Sequence, residues 1–214
     1  MTKNYDISTI PGLIRTENVE LDEMQEMCME MTHAVYPHDK IYGQFCSIEE
    51  YIDCPPEVVF DYLADTKNLG EWTYSTRDMK KTDCHNTMVF NDAIGGITDC
   101  YCKTIANKDA MTVDYHCAWD QGDHLWMIYL IRVIPAQLVF NKPGSVVLWT
   151  NCHHPFYDHN PFPEKAPKER EGWVGDAWNM FYAGHTIEMQ NLKKILEFRY
   201  KRDICELQGK KAKS

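Results

Sequence analysis

The chain has 214 residues, 44% of them hydrophobic and 25% charged, and a formal net charge of −10. This composition suits one folded domain with room for a core and a cavity, and it argues against wholesale disorder. The negative field repels nucleic-acid backbones and anionic lipid surfaces, so neither is an expected partner. No apolar run reaches the length of a membrane span, and the opening residues lack the apolar core of a secretory signal. Nine cysteines, an odd number scattered along the chain, fit reduced thiols in a cytoplasmic protein.

Residues 8–15 contain Pro11-Gly12 and read as irregular. From 20 to 36, Leu21, Met24, Cys28, Met31 and Val35 recur at helical spacing, with Glu23, Glu26 and Glu30 on other faces. This predicts an amphipathic helix whose methionine-rich stripe packs on the main domain, meets a second copy as a homodimer contact, or covers a pocket. Pro37 to Lys40 break it. Residues 44–53 read as a strand. Pro55-Pro56 then opens a short apolar helix through Val58, Phe60 and Leu63, and a second turn leads from Leu69 to Trp72.

Six further strands are predicted at 73–80, 87–94, 99–105, 111–119, 125–134 and 145–152. Turn signals such as Gly95-Gly96, Asn107-Lys108-Asp109 and Pro143-Gly144 separate them, and such short connections join antiparallel neighbours. Within 111–119, Val113, Tyr115, Cys117 and Trp119 fall on one face, with Thr112, Asp114 and His116 on the other, so one side is covered and one is wet. Residues 155–171 are proline-rich and charged and read as a long loop of the kind that often serves function. From 172 to 202 a single long helix is predicted, with Val174, Trp178, Phe181, His185, Glu188, Met189, Leu192, Ile195, Leu196 and Arg199 along its inner stripe. The expected organisation is an N-terminal extension over 1–43, a domain over 44–202 and a basic tail over 203–214.

The order strand, two short helices, six strands, long helix resembles the START-like or SRPBCC superfamily. The likeness rests on Ile48-Glu49-Glu50-Tyr51-Ile52-Asp53-Cys54-Pro55-Pro56-Glu57-Val58-Val59-Phe60-Asp61-Tyr62-Leu63-Ala64-Asp65, followed by Asn68-Leu69 and Trp72. It implies an α+β helix-grip fold: a seven-stranded antiparallel sheet wrapped around the long C-terminal helix, here with an extra N-terminal helix. It also implies a closed cavity for a small hydrophobic or aromatic molecule, as in polyketide cyclases and aromatases, lipid-transfer domains and pollen-allergen proteins. One fold hosts many activities, so the site must decide among them.

Candidate chemistry gathers at the cavity face. His185 lies on the inner stripe of the last helix, where an imidazole can serve as acid or base or sit as a satisfied core histidine. His154 and Tyr115 are the supporting donors. Trp119, Tyr129, Arg132, Trp149, Trp178, Phe181, Tyr182 and Met189 are the expected ligand wall, with Arg132 at the sheet rim or holding an anionic group inside. His154, Asp158 and His159 carry metal-ligating groups after the last strand, in the cluster that starts at His153, although their spacing matches no named motif. Cys100, Cys102 and Cys117 read as buried small hydrophobes. Neither a phosphate loop nor a serine-hydrolase elbow is present.

Three readings follow. The first is a cyclase- or aromatase-type enzyme that needs no cofactor and carries out acid–base cyclisation or dehydration of a hydrophobic carbonyl compound. The second is a carrier for a lipid or polyketide. The third is a metal-dependent enzyme holding divalent zinc or iron on the histidine cluster.

Overall fold

The computed structural model describes residues 5–35, 44–84, 86–170 and 172–211. The alternating segments become seven strands: β1 (Phe45–Ile52), β2 (Thr76–Lys81), β3 (Thr87–Asp92), β4 (Thr98–Asn107), β5 (Thr112–Trp119), β6 (Met127–Pro135) and β7 (Ser145–Cys152). They form one antiparallel sheet in the order β1-β7-β6-β5-β4-β3-β2. Two short helices, α2 (Pro56–Ala64) and α3 (Leu69–Trp72), carry the chain from the β1 edge to the β2 edge. Pro56 sits in the first turn of α2, where a missing N–H costs little.

The register puts side chains of like parity in one inward row. Phe90 pairs with Cys100, Cys100 with Trp119, Cys102 with Cys117, Cys117 with Met127, and Tyr115 with Tyr129. The β3–β4 turn brings backbone against this row. A Cβ at Gly95 would stand 2.4 Å from Thr98 Oγ1 and 3.0 Å from the Trp119 ring, and Gly96 has φ +77°, so both positions require glycine. Over the inner face lies the long helix α5 (Phe181–Lys211), whose Leu192, Ile195 and Leu196 are almost fully buried. Each such side chain contributes roughly 1.5–3 kcal/mol through burial. This is a helix-grip fold.

The N-terminal helix α1 (Leu21–Val35) packs on α5 through a small separate cluster of Met24, Cys28, Tyr74, Ala183 and Ile187. The expected break after it, at Pro37–Lys40, lies outside the described residues. Deeper in the fold, Arg199 grips Glu71 with two hydrogen bonds of 2.8 and 2.9 Å, and the Tyr62 hydroxyl donates to the same carboxylate at 2.6 Å. The loop before α5 is pinned by Arg170, which holds buried Asp120 at 2.7 and 2.8 Å and lies 5.0 Å over the Trp119 ring.

Three details differ from the sequence expectation. A short helix α4 (Ala136–Phe140) fills the β6–β7 connection, started by Pro135 and ended by Asn141 in the left-handed region. Residues 174–180 form a 3-10 segment instead of the first turns of α5, because the chain is pressed against the preceding loop. A Cβ at Gly175 would fall 1.6 Å from the Tyr157 carbonyl oxygen. At its other end α5 continues to Lys211, past the expected stop near Arg202, since no proline interrupts it. No described helix is long and apolar enough to cross a membrane.

Candidate active site

Between α1, α5 and the inner sheet face lies a cavity of about 190 Å³. Its wall is largely aromatic and sulfur-bearing, with Phe90, Trp119, Trp149 and Phe181 among the rings. Leu21, Gln25 and Ile94 both line it and reach solvent, which places its mouth between the start of α1 and the β3–β4 turn. The volume is below the roughly 300–1,000 Å³ of pockets that hold drug-sized ligands, so the fitting guest is small.

One histidine and two carboxyl side chains line this apolar space: His185 and Glu188, one turn apart on α5, and Asp92 at the end of β3. The segment between α3 and β2 ties the two acids together. Tyr74 donates its backbone N–H to Glu188 Oε1 at 2.8 Å, and the next residue, Ser75, donates its hydroxyl to Asp92 Oδ1 at 2.6 Å. Asp92 also accepts the Ile94 N–H at 3.1 Å and the Trp119 Nε1–H at 3.1 Å. Neighbouring residues thus hold both carboxyls, and Asp92 has three donors to the one of Glu188.

The electrostatics follow from that count. Burial pushes the Glu188 carboxyl up to about 8, helped by the negative charge of Asp92, so it holds a proton at neutral pH. Burial raises the Asp92 carboxyl too, and its three donors offset only part of that rise. The two environments set the pair apart, with Glu188 keeping its proton to higher pH than Asp92, a pattern that marks acid–base sites. His185 is pushed down to about 3 by burial, hence neutral, and it makes no hydrogen bond to any described residue. Its ring stands 4.5 Å from Trp149, 5.0 Å from Phe181 and 5.7 Å from Tyr129, leaving its nitrogens for a guest.

Of the residues expected from sequence, His185, Tyr115, Trp119, Tyr129, Trp149 and Phe181 line the cavity. The Tyr115 hydroxyl is spent on the Leu63 carbonyl at 2.6 Å, which makes it a brace and not a free donor. His154, Trp178, Tyr182 and Met189 lie outside the lining. Nδ1 of His154 accepts the Phe156 N–H at 3.1 Å, and its ring packs on Trp126, because the chain turns at Pro155 as β7 ends. Trp178 packs on His153, Tyr157 and Phe181, while Val174, Ala177 and Met180 take the cavity side of the 3-10 segment. Met189 is buried in the core at 2% exposure.

Arg132 is exposed on the outer face of the sheet, since its neighbours Ile131 and Val133 take the inward parity. Asp158 and His159 are exposed, and His153 meets Asp158 at 3.5 Å. His154, Asp158 and His159 are not gathered into a ligand set: no group of three such residues is placed to hold a metal among the described residues. Sequence reasoning missed Glu188 and Asp92 as site residues. Glu188 stood within the apolar stripe three residues from His185. Asp92 shares the inward parity of Phe90.

Among solved structures, an uncharacterized protein from Bacillus thuringiensis superposes with a TM-score of 0.51 at 12% identity, over 71% of this chain and 98% of its own. XoxI from Bacillus cereus gives 0.51 at 13% identity, over 72% and 96%. DynU16, from the dynemicin biosynthetic locus, gives 0.44 at 9% identity over 73% and 48%, too loose to carry an argument. At these identities the likeness concerns the fold alone. No curated protein sequence matches. A family model, Domain of unknown function (DUF8713), matches residues 39–159, from before β1 through all seven strands and the histidine cluster. That match covers more than half of the chain, and the protein belongs to the DUF8713 family.

Proposed function

We propose that the protein is a small-molecule enzyme of the cyclase/dehydratase type within the SRPBCC superfamily, acting on a small carbonyl compound by proton transfer. The observation that carries this reading is the split carboxyl pair, Asp92 with three donors and Glu188 with one, facing one apolar cavity. Glu188 donates a hydrogen bond through its O–H to the carbonyl oxygen of the guest. Asp92 accepts a proton from the carbon next to that carbonyl, and the C–H electrons move into the new C=C bond as the oxygen gains negative charge. A proton-bearing carboxyl in a dry site stabilises that oxygen far better than water does. The enolate then attacks a second carbonyl of the same molecule, whose oxygen takes the proton held by Asp92, or expels a β-hydroxyl that leaves as water with that proton. His185, held neutral, orients the guest by hydrogen bonding. This orienting role stands in place of the expected imidazolium acid, since a ring titrating near 3 is neutral at pH 7.

The test is deuterium uptake from heavy water into acetophenone, followed by mass spectrometry. Protein-promoted exchange at the methyl carbon is expected, falling about 100-fold or more in Asp92→Asn and in Glu188→Gln. Equal exchange with the wild type and the double variant overturns the mechanism. Binding without any promoted exchange favours the carrier reading instead.

A further inference from the structure

We infer that the cavity selects its guest by charge, admitting an uncharged carbonyl compound and rejecting the matching carboxylate and ammonium ions. This deepens the proposed function and rests on the same site, but it concerns binding and not turnover. The lining contains two acids, Asp92 and Glu188, one neutral imidazole, His185, and no lysine or arginine. The cation nearest in effect is Arg77, and it has nothing to offer a guest. Its Nε and one Nη2 proton go to Glu17, its Nη1 protons to the carbonyls of Thr73 and Thr76, and the other Nη2 proton to the Tyr74 carbonyl. A guanidinium has five donors, and all five are used.

An anionic guest would therefore shed its water and face two carboxyl groups with no counter-charge inside the wall. A carboxylate, phosphate or sulfate substituent is excluded on that ground. The ammonium case fails for a different reason. Asp92 already accepts three donors, which leaves about one lone-pair site for three N–H groups. Glu188 in its proton-bearing form presents an O–H to the cavity, a donor facing another donor. A ketone or aldehyde oxygen is an acceptor only, and it matches the O–H of Glu188 and a ring N–H of His185 without residual charge. The remaining wall is apolar, so the rest of the guest is hydrocarbon.

The experiment compares three one-ring probes on the full chain at pH 7: acetophenone, benzoate and benzylamine, with affinities from ligand-observed NMR titration. Acetophenone is expected to bind at least tenfold tighter than either ion. In Asp92→Asn the benzoate penalty is expected to shrink at least fivefold. The wild-type ranking stands without that variant should it fold poorly. Benzoate or benzylamine binding as tightly as acetophenone overturns the inference, as does failure of acetophenone to bind. The two proposals fail separately: the ranking held without deuterium exchange sinks only the proton-transfer mechanism, and exchange without the ranking sinks only charge selection.

Discussion

Two partly buried glutamates, one packed against α5 and one on it, stand in opposite circumstances. Glu71 receives both arms of Arg199 and the hydroxyl of Tyr62, three strong donors for one carboxylate. Glu188, about three turns earlier than Arg199 on the helix, receives one backbone N–H and faces open space. The first carboxylate is a fastener, its charge matched inside the protein. The second is left unmatched, and an unmatched buried group persists only where something outside the chain completes it or where reactivity is its use. The same residue type thus closes one end of the grip and equips the other.

The largest effect that would sharpen this contrast comes from the closed end. Arg199→Met strands Glu71 without its cation, and a loss of about 3–5 kcal/mol in denaturant unfolding is expected, as for other broken buried pairs. A loss below about 1 kcal/mol would break the contrast.

At the open end the effect is smaller and depends on pH. The folded-state value of Glu188, about 8, lies above its ordinary 4.5. Between those pH values the folded protein holds a proton that the unfolded chain has released, so stability falls as pH rises through the window. Glu188→Gln is expected to flatten that decline and to melt above the wild type at pH 8–9. His185 runs the other way. Its folded value of about 3 lies below its ordinary 6.5, so stability is lost as pH falls from 6.5 towards 3. His185→Phe is expected to weaken that acid limb, and thermal melts from pH 3 to 9 on the three proteins check both slopes. The smallest effects belong to Arg132→Gln and His154→Ala. The first is expected to change stability by under about 0.5 kcal/mol, and the second by about 1 kcal/mol through loss of its turn cap. Neither should alter acetophenone affinity by NMR titration.

The sheet was legible because its strands alternate cleanly and its turns carry glycine, proline and asparagine. Helix α4 was not, since five apolar or amide residues carry no periodic pattern of their own. Half of the site was legible too. His185 and Phe181 follow from the stripe of α5, and Trp149 from the wealth of aromatics in the sheet, although the sequence did not tell which face of β7 looks inward. Arg132 shows where parity needs a reference point: Ile131 and Val133 claim the inward row, and the arginine takes the face left over. The chemical role escaped for a deeper reason. A histidine in an apolar stripe draws notice by its ordinary titration near neutrality, yet burial removes that property. A glutamate in the same stripe draws none, yet burial confers it. The environment decides which residue titrates in the useful range, and environment is a product of the fold.

The order in which ribosomes make the chain adds a consequence to the placement of α1. That helix is made before the sheet, but much of the surface that covers it is made after the sheet. Thr32 bonds the carbonyl of Asn179 at 3.4 Å, and Cys28 lies against Gly184. Met24, Met27 and Met31 therefore wait for residues 180–187 before the cluster that Tyr74 begins is complete. A guest cannot be enclosed before the last helix leaves the ribosome.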